Sequence, residues 1–317
     1  MRKNYGIPYK GSKNKIAEWV LQNLPPAEIL YDLFGGGGAI SHIALESGKY
    51  DKVVYNELNK PIAQLFCNAV HGKYKNHIQW VSRSDFKALK QVDPFIATIW
   101  SFGNNLSNYL YSQEIELWRK ALHYAIVFED YRYIHQFGID FTLLGTDSHV
   151  RRLEARKIIN ENKEEYKKKY VKWYISKVLK QDKENKVQSF ERLADMQSLE
   201  SLQSLESLER LQSLESLESL GNNLTIYAED YRAIPIASNS VIYCDIPYKN
   251  TDTYVNQQFD YKAFYDWCCK QEVPVYVSEY TLDDDRFEVV AEKEKRVLLG
   301  RDDKGKAIEK IFKVKGR

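Results

Sequence analysis

Residues 28–58 read EILYDLFGGGGAISHIALESGKYDKVVYNEL, and this stretch decides the fold. Its first seven residues form a short apolar run that stops at four glycines, Gly35 to Gly38. An amphipathic segment, AISHIALESG (39–48), follows and closes on Gly48, as a helix does. KVVYNEL (52–58) is a second run of strand length, and NKPIAQLFCNAVHG (59–72) a second helix that again ends on glycine. Strand, helix, strand, helix predicts a parallel sheet with helices packed on it. The rhythm breaks after about residue 75 and resumes at NLTIYAEDY (223–231), SVIYCDIPY (240–248) and VPVYVSEY (273–280), with a helix at 259–271. RFEVVAEKEKRVLL and AIEKIFKV, on either side of GRDDKGK, read as a closing antiparallel hairpin.

The expectation is a discontinuous α/β domain, residues 1–75 and 221–317, carrying a mostly helical insert, 76–198. The insert is rich in aromatic residues and holds the polar turn SFGNNLSN (101–108). Its end is basic: residues 151–186 contain 13 Lys or Arg against 6 Asp or Glu, among them Arg151, Arg152, Lys167, Lys168 and Lys169. Alone, such a run suits a solvated helix face; beside a core acting on nucleic acid it suits phosphate contacts. Residues 199–220, LESLQSLESLERLQSLESLESL, repeat leucine every three positions. An α-helix turns about 100° per residue, so a step of three drifts by about −60° and leaves no single apolar stripe. That argues against a coiled coil, and the tract is read as a helical spacer.

Whole-chain totals exclude more than they assign. The charges of the 317 residues nearly cancel, at +2, so net charge points to no partner. The four cysteines, Cys67, Cys244, Cys268 and Cys269, have no C-x2-C spacing and the six histidines are scattered, so no metal is expected. The N-terminal residues lack an apolar signal core, and no run approaches the ~18 residues that span a bilayer. A soluble, cytoplasmic protein is expected.

Three features fall at predicted strand ends, where open α/β sheets bind ligands. Asp32-x-Phe34-Gly-Gly-Gly-Gly38 matches neither G-x-G-x-x-G nor G-x4-G-K-[ST]. A glycine turn without phosphate-binding side chains suits a nucleoside, and equally a plain tight turn. Glu57 ends the second strand, where an acid can accept both ribose hydroxyl protons; the bland alternative is a solvated carboxylate. The third feature is Asp245-Ile246-Pro247-Tyr248. An exocyclic amine such as adenine N6 is a poor nucleophile because its lone pair is delocalised into the ring. A carboxylate and a backbone carbonyl aimed at its N–H bonds could hold it with that lone pair toward an electrophile, while Tyr248 stacks on the base. A strand-to-loop turn with a packed tyrosine is the alternative.

Together these motifs resemble the D12 class of adenine N6 DNA methyltransferases, in its Dam-like α group and its phage-type versions. YKGSK (9–13) is similar to the family's N-terminal cofactor motif and DLFGGGG (32–38) to its glycine loop. Glu57 stands at the acidic position, AEDY (228–231) precedes the catalytic motif, and DIPY (245–248) resembles DPPY. The resemblance implies a class I Rossmann-like methyltransferase sheet with an inserted, mostly helical target-recognition domain. It implies S-adenosylmethionine as cofactor, double-stranded DNA as partner, and a setting in a bacterial or phage-infected cell, in restriction–modification or a phage. Tyr9, Lys13, Asp32, Phe34, Gly35, Gly36, Gly37 and Glu57 would line the cofactor site. Asp230 would contact its adenine, with Tyr231 beside it, and Asp245 would also belong to the cofactor site. Asp245 and the Ile246 carbonyl would hold the target amine, Pro247 would extend the backbone, and Tyr248 would stack on the flipped base. Two rivals stand beside this reading: methylation of cytosine N4 or of an RNA base, and a DNA-binding relative impaired in catalysis by Ile246. The acid at the first position and the motif order favour adenine in DNA.

Overall fold

The computed structural model describes residues 4–9, 11–178, 206–249, 259–296 and 306–316. The opening stretch and its flanks fold as α1 (Ala17–Asn23), β1 (Ile29–Asp32), α2 (Ala39–Ser47), β2 (Lys52–Asn56) and α3 (Lys60–Val70). Glycines bracket α2: Gly38 before it and Gly48 after it both take left-handed backbone, at φ 71° and 64°. Pro61 opens α3, where its missing N–H has no partner to lose. After the insert come β3 (Leu224–Tyr227), β4 (Ser240–Cys244), α11 (Tyr261–Lys270), β5 (Val275–Glu279), β6 (Phe287–Arg296) and β7 (Lys306–Val314).

These strands form one seven-stranded sheet in the order β3-β2-β1-β4-β5-β7-β6. β1 to β5 run parallel, with Leu30 level with Val53 on one side and Val241 on the other. β7 enters antiparallel between β5 and β6. The expected hairpin pairing is therefore present, but its second strand lies inside the sheet; residues 300–305 of its turn lie outside the described residues. Successive residues of a strand point to opposite faces. Leu30, Val53, Val241 and Tyr243 accordingly pack with α1 and α2, while Tyr31, Val54, Ile242 and Cys244 pack on the other face with Phe264 and Cys268 of α11. Both faces being covered explains why these strands read as continuous apolar runs.

The chain divides into one unit of Met1–Lys75 with Ser213–Arg317 and a second of Asn76–Gln212. In the second unit stand α4 (Arg83–Leu89), α5 (Pro94–Ile99), α6 (Gln113–Phe128), α7 (Arg132–His135), α8 (Ser148–Glu161) and α9 (Lys163–Lys177). Its aromatic richness is core material. Tyr166, Tyr170 and Tyr174 follow one another at four-residue steps on the buried face of α9. Tyr170 meets Trp118 and Phe137, with centroids 5.5 and 4.9 Å away, and donates its hydroxyl to Glu114 O at 2.6 Å.

The leucine tract corrects one expectation. Residues 199–205 lie outside the described residues, but Glu206–Glu215 form α10 and Glu218–Asn223 a 3₁₀ turn. Leu208, Leu211, Leu214, Leu217 and Leu220 are all buried, so this part is core and no spacer. The leucines do spiral around α10, and the helix is covered on more than one side: Ser207, Arg210 and Ser213 are buried too. Beyond Leu217 the winding becomes 3₁₀, with three residues per turn, so a three-residue period lies on one face; that turn packs on α2 and α3. Arg210, the exception in the repeat, donates Nη1 to the carbonyls of Thr98, Ile99 and Ser101 at 3.3, 2.7 and 2.8 Å, closing the end of α5.

Candidate active site

The loop after β1 is shaped by what lies on it. Gly35 N donates to Asn56 O at 2.8 Å and Gly38 N to Gly35 O at 2.7 Å, closing a tight turn. The N-terminal segment covers it: Ile7 N donates to Gly37 O at 2.7 Å. A Cβ on Gly37 would sit 2.7 Å from Ile7 O and 2.8 Å from Tyr9 Cβ, so Tyr9 and the glycines are built as one surface. Glu57 joins them, its carboxylate accepting from Gly36 N at 2.9 Å and Asn59 N at 2.8 Å. Burial nevertheless pushes the Glu57 carboxyl above its ordinary range. Asn56 ties this loop to the one after β3, donating Nδ2 to Leu33 O and Glu229 O, both at 3.0 Å. Phe34 forms a wall with Tyr231, Phe259 and Phe264, with centroids 5.3, 5.8 and 5.6 Å away.

Asp32 and Asp230 face elsewhere. Asp32 is buried under the loop and accepts Ser41 N at 3.1 Å and Ser41 Oγ at 2.7 Å, anchoring the first turn of α2. Burial, with Asp245 and Glu57 nearby, pushes its carboxyl up to about 7. Asp230 is gripped by Arg232, at 2.8 Å from Nε and 2.7 Å from Nη2, which holds its carboxyl below the usual range.

Asp32 therefore yields a stability prediction with a definite sign. Its carboxyl titrates near 3.8 unfolded and about 7 folded. The stability it contributes is fully present below the unfolded value and is lost as pH rises through about 7. Asp32→Asn, which keeps an oxygen for Ser41, should gain on the parent by roughly 2–3 kcal/mol between pH 5 and pH 8. Urea midpoints at the two pH values measure this; a constant difference would show that Asp32 stays ionised.

At the end of β4 the DIPY segment meets residues from distant parts of the chain. Lys13 opens a 3₁₀ turn whose preceding Ser12 caps it, accepting from Asn14 N. Its buried ammonium lies 2.5 Å from Asp245 Oδ1, 3.7 Å from Glu309 and 4.6 Å from the Tyr248 ring centre. Burial alone would lower the Lys13 ammonium; Asp245 and Glu309 outweigh it and hold it above its ordinary value. So Lys13, expected in the cofactor site, puts its charge on the Asp245 carboxylate. Tyr248 donates its hydroxyl to Glu309 and stands edge-on to Tyr280 at 4.6 Å. Ile246 is buried in the apolar layer with Cys244 and Phe264, and Pro247 O accepts from Tyr261 at 2.9 Å. Glu279, at the end of β5, is buried and accepts from Tyr280 N and Lys249 N at 2.8 and 3.1 Å. Burial, with Glu309 and Asp245 nearby, raises its carboxyl to about 7.

The structure thus brings together Lys13, Asp245 and Tyr248; Tyr9, Gly36, Gly37 and Glu57; and Phe34 with Tyr231. Sequence reasoning missed Glu279, Glu309 and the aromatic partners Phe259, Phe264 and Trp267, the last with its ring centroid 5.0 Å from that of Tyr231. The aromatic cluster in FDYKAFYDW was a usable signal, at helical spacing on α11. Neither glutamate had one, since each stands in a strand whose buried face its own sequence does not name. In the second unit, Arg151 and Arg152, expected on phosphates, are buried. Arg151 donates to Ile126 O at 2.6 Å and pairs with Glu129 at 3.0 Å; Arg152 pairs with Glu209 at 2.9 Å. Both serve packing of the unit and drop out of the candidate DNA contacts. Lys168 of α9 is exposed, and Lys169 pairs with Glu165 at 2.6 Å.

Parallel strands whose carboxyl ends carry a glycine turn, an acid one strand over and an acid-aromatic segment at the next define a Rossmann-like methyltransferase domain. Residues 9–267 match the family model described as D12 class N6 adenine-specific DNA methyltransferase, and the chain belongs to that family. It is an adenine-specific DNA methyltransferase, with DNA as its substrate. A search of curated proteins found no match. Among the described residues, no group of His, Cys, Asp or Glu could hold a metal ion, and no helix is long and apolar enough to cross a membrane.

Proposed function

We propose that the chain methylates N6 of an adenine turned out of duplex DNA, with S-adenosylmethionine as donor. The carrying observation is the placement of Asp245, ion-paired to Lys13, in the same row of strand ends as the loop held by Glu57. The residues present fit the donor. Glu57 oxygens each accept one backbone N–H, which leaves acceptor capacity for ribose hydroxyls. Phe34 and Tyr231 offer an apolar wall for a nucleobase. When bound, the donor supplies a methyl group on sulfonium sulfur, whose C–S bond breaks, leaving its electrons on sulfur, as the N6–C bond forms. Asp245 would accept one N6–H and the Ile246 carbonyl the other, orienting the lone pair; the surplus N6 proton passes to water. Tyr248 would stack on the extruded base.

The motif order supports the Dam-like α group and, by the place of the insert in that order, the second unit, Asn76–Gln212, as the target reader. Labelled donor, the purified chain and plasmid from a methylation-deficient host test the reading, with the product sequenced for modified adenines. Transfer to cytosine N4 or RNA alone, or none, would overturn it.

For DNA contact, α9 is the proposed phosphate-facing element. Replacing Lys167, Lys168 and Lys169 with Gln should weaken binding and flatten the slope of log K against log salt by about 0.9 for each phosphate no longer neutralised. An unchanged slope would return these lysines to a solvated face.

A further inference from the structure

β7 is inverted where it reaches the site. Ile308 is 51% exposed while its neighbour Glu309 is 0% exposed, on the face that also carries the core residue Ile311. Isoleucine outside and glutamate inside is the reverse of what burial energetics select. A buried carboxylate is costly unless it is paired and hydrogen-bonded. Glu309 is both, with Lys13 Nζ at 3.7 Å and the Tyr248 hydroxyl as donor. Each partner lies beside the reacting position: Lys13 holds Asp245 at 2.5 Å, and Tyr248 ends the same tetrapeptide. Glu309 also stands beyond residues 9–267, the part of the chain that the family model matches.

We propose that Glu309 is a positioning residue for methyl transfer, holding the Lys13 ammonium against Asp245 and fixing the Tyr248 hydroxyl before the base arrives. The proposal rests on the methyl-transfer reading above. With its ammonium shared between two carboxylates, Lys13 cannot swing away, and Asp245 keeps one orientation at the end of β4. The Tyr248 ring, tethered at its hydroxyl and flanked by Tyr280, is set at one tilt. Both groups are then preorganised, and a rate contribution follows through Lys13 and Tyr248.

The test is single-turnover methyl transfer across pH by the parent, Glu309→Gln, Glu309→Asp and Tyr248→Phe, with donor affinity measured in parallel. Lys13 faces Asp245, Glu309 and Tyr280, with Tyr248 under it and Glu279 on the adjoining strand. Removing the Glu309 charge lets the Lys13 ammonium deprotonate at lower pH. Glu309→Gln should therefore slow transfer by about tenfold or more with donor affinity within about threefold, and its alkaline limb should move down. Glu309→Asp should restore the limb while staying slower than the parent, and Tyr248→Phe should slow transfer without moving the limb. If Glu309→Gln does not fold, the last two variants carry the test. An inactive parent would sink the methyl-transfer reading itself. An active parent whose folded variants match it in rate and pH profile would overturn the role of Glu309 alone.

Discussion

Asp245→Ala is expected to lower single-turnover methyl transfer by about a thousandfold or more, ~4 kcal/mol of barrier, while donor binding stays within about tenfold. The carboxylate is the one acceptor at the end of β4 that Lys13 holds at 2.5 Å, and alanine leaves the N6 amine without it. Lys13 retains Glu309, so its ammonium is not stranded and the variant should fold. The change at the next position should be mild by comparison. On the proposed reading the Ile246 group that serves the amine is a backbone carbonyl, which isoleucine and proline supply alike. Pro247 keeps residue 246 out of the α region, and a β-branched residue leans the same way. The isoleucine side chain is also buried in the α11 layer, so packing accommodates it at this position. Ile246→Pro should keep activity within about tenfold, ~1.4 kcal/mol. An inert parent switched on by Ile246→Pro would instead mark a degenerate enzyme.

Gly38→Ala is expected to cost ~2–5 kcal/mol of stability, combining a left-handed residue with overpacking. Its φ is 71°, and the added Cβ would fall among the ring carbons of Phe66. That ring is wholly buried and stacks on Tyr55 at 4.3 Å, and Tyr55 donates to Gly36 O at 2.7 Å. The displacement would thus return to the glycine loop, so donor affinity should fall along with the denaturation midpoint. Gly48→Ala is the control: its φ is 64° but nothing lies within 4 Å, so only the backbone cost of ~1–2 kcal/mol applies. Equal losses in the two variants would remove Phe66 from the explanation.

Local chemistry carried the sequence reading far. Glycines that end helices, apolar runs of strand length and the spacing from Gly38 to Glu57 act within a few turns of chain, so β1, α2, β2 and the DIPY strand end were legible before any fold was known. The leucine tract shows where that stops. Its three-residue period ruled out one stripe on a free α-helix, yet only packing could decide that several sides of α10 are covered and that the chain tightens to 3₁₀ after Leu217. The basic run failed in the same way at Arg151 and Arg152, whose charges the sequence states but whose burial it does not. The site's electrostatics were decided last of all. Lys13 and Asp245 are separated by 232 positions, and Glu309 comes from a strand whose alternation is compatible with either face. What brought Glu309 to the site was the insertion of β7 between β5 and β6, a long-range pairing that fixes its register in a sheet covered on both faces; the residues of β7 alone do not contain that choice.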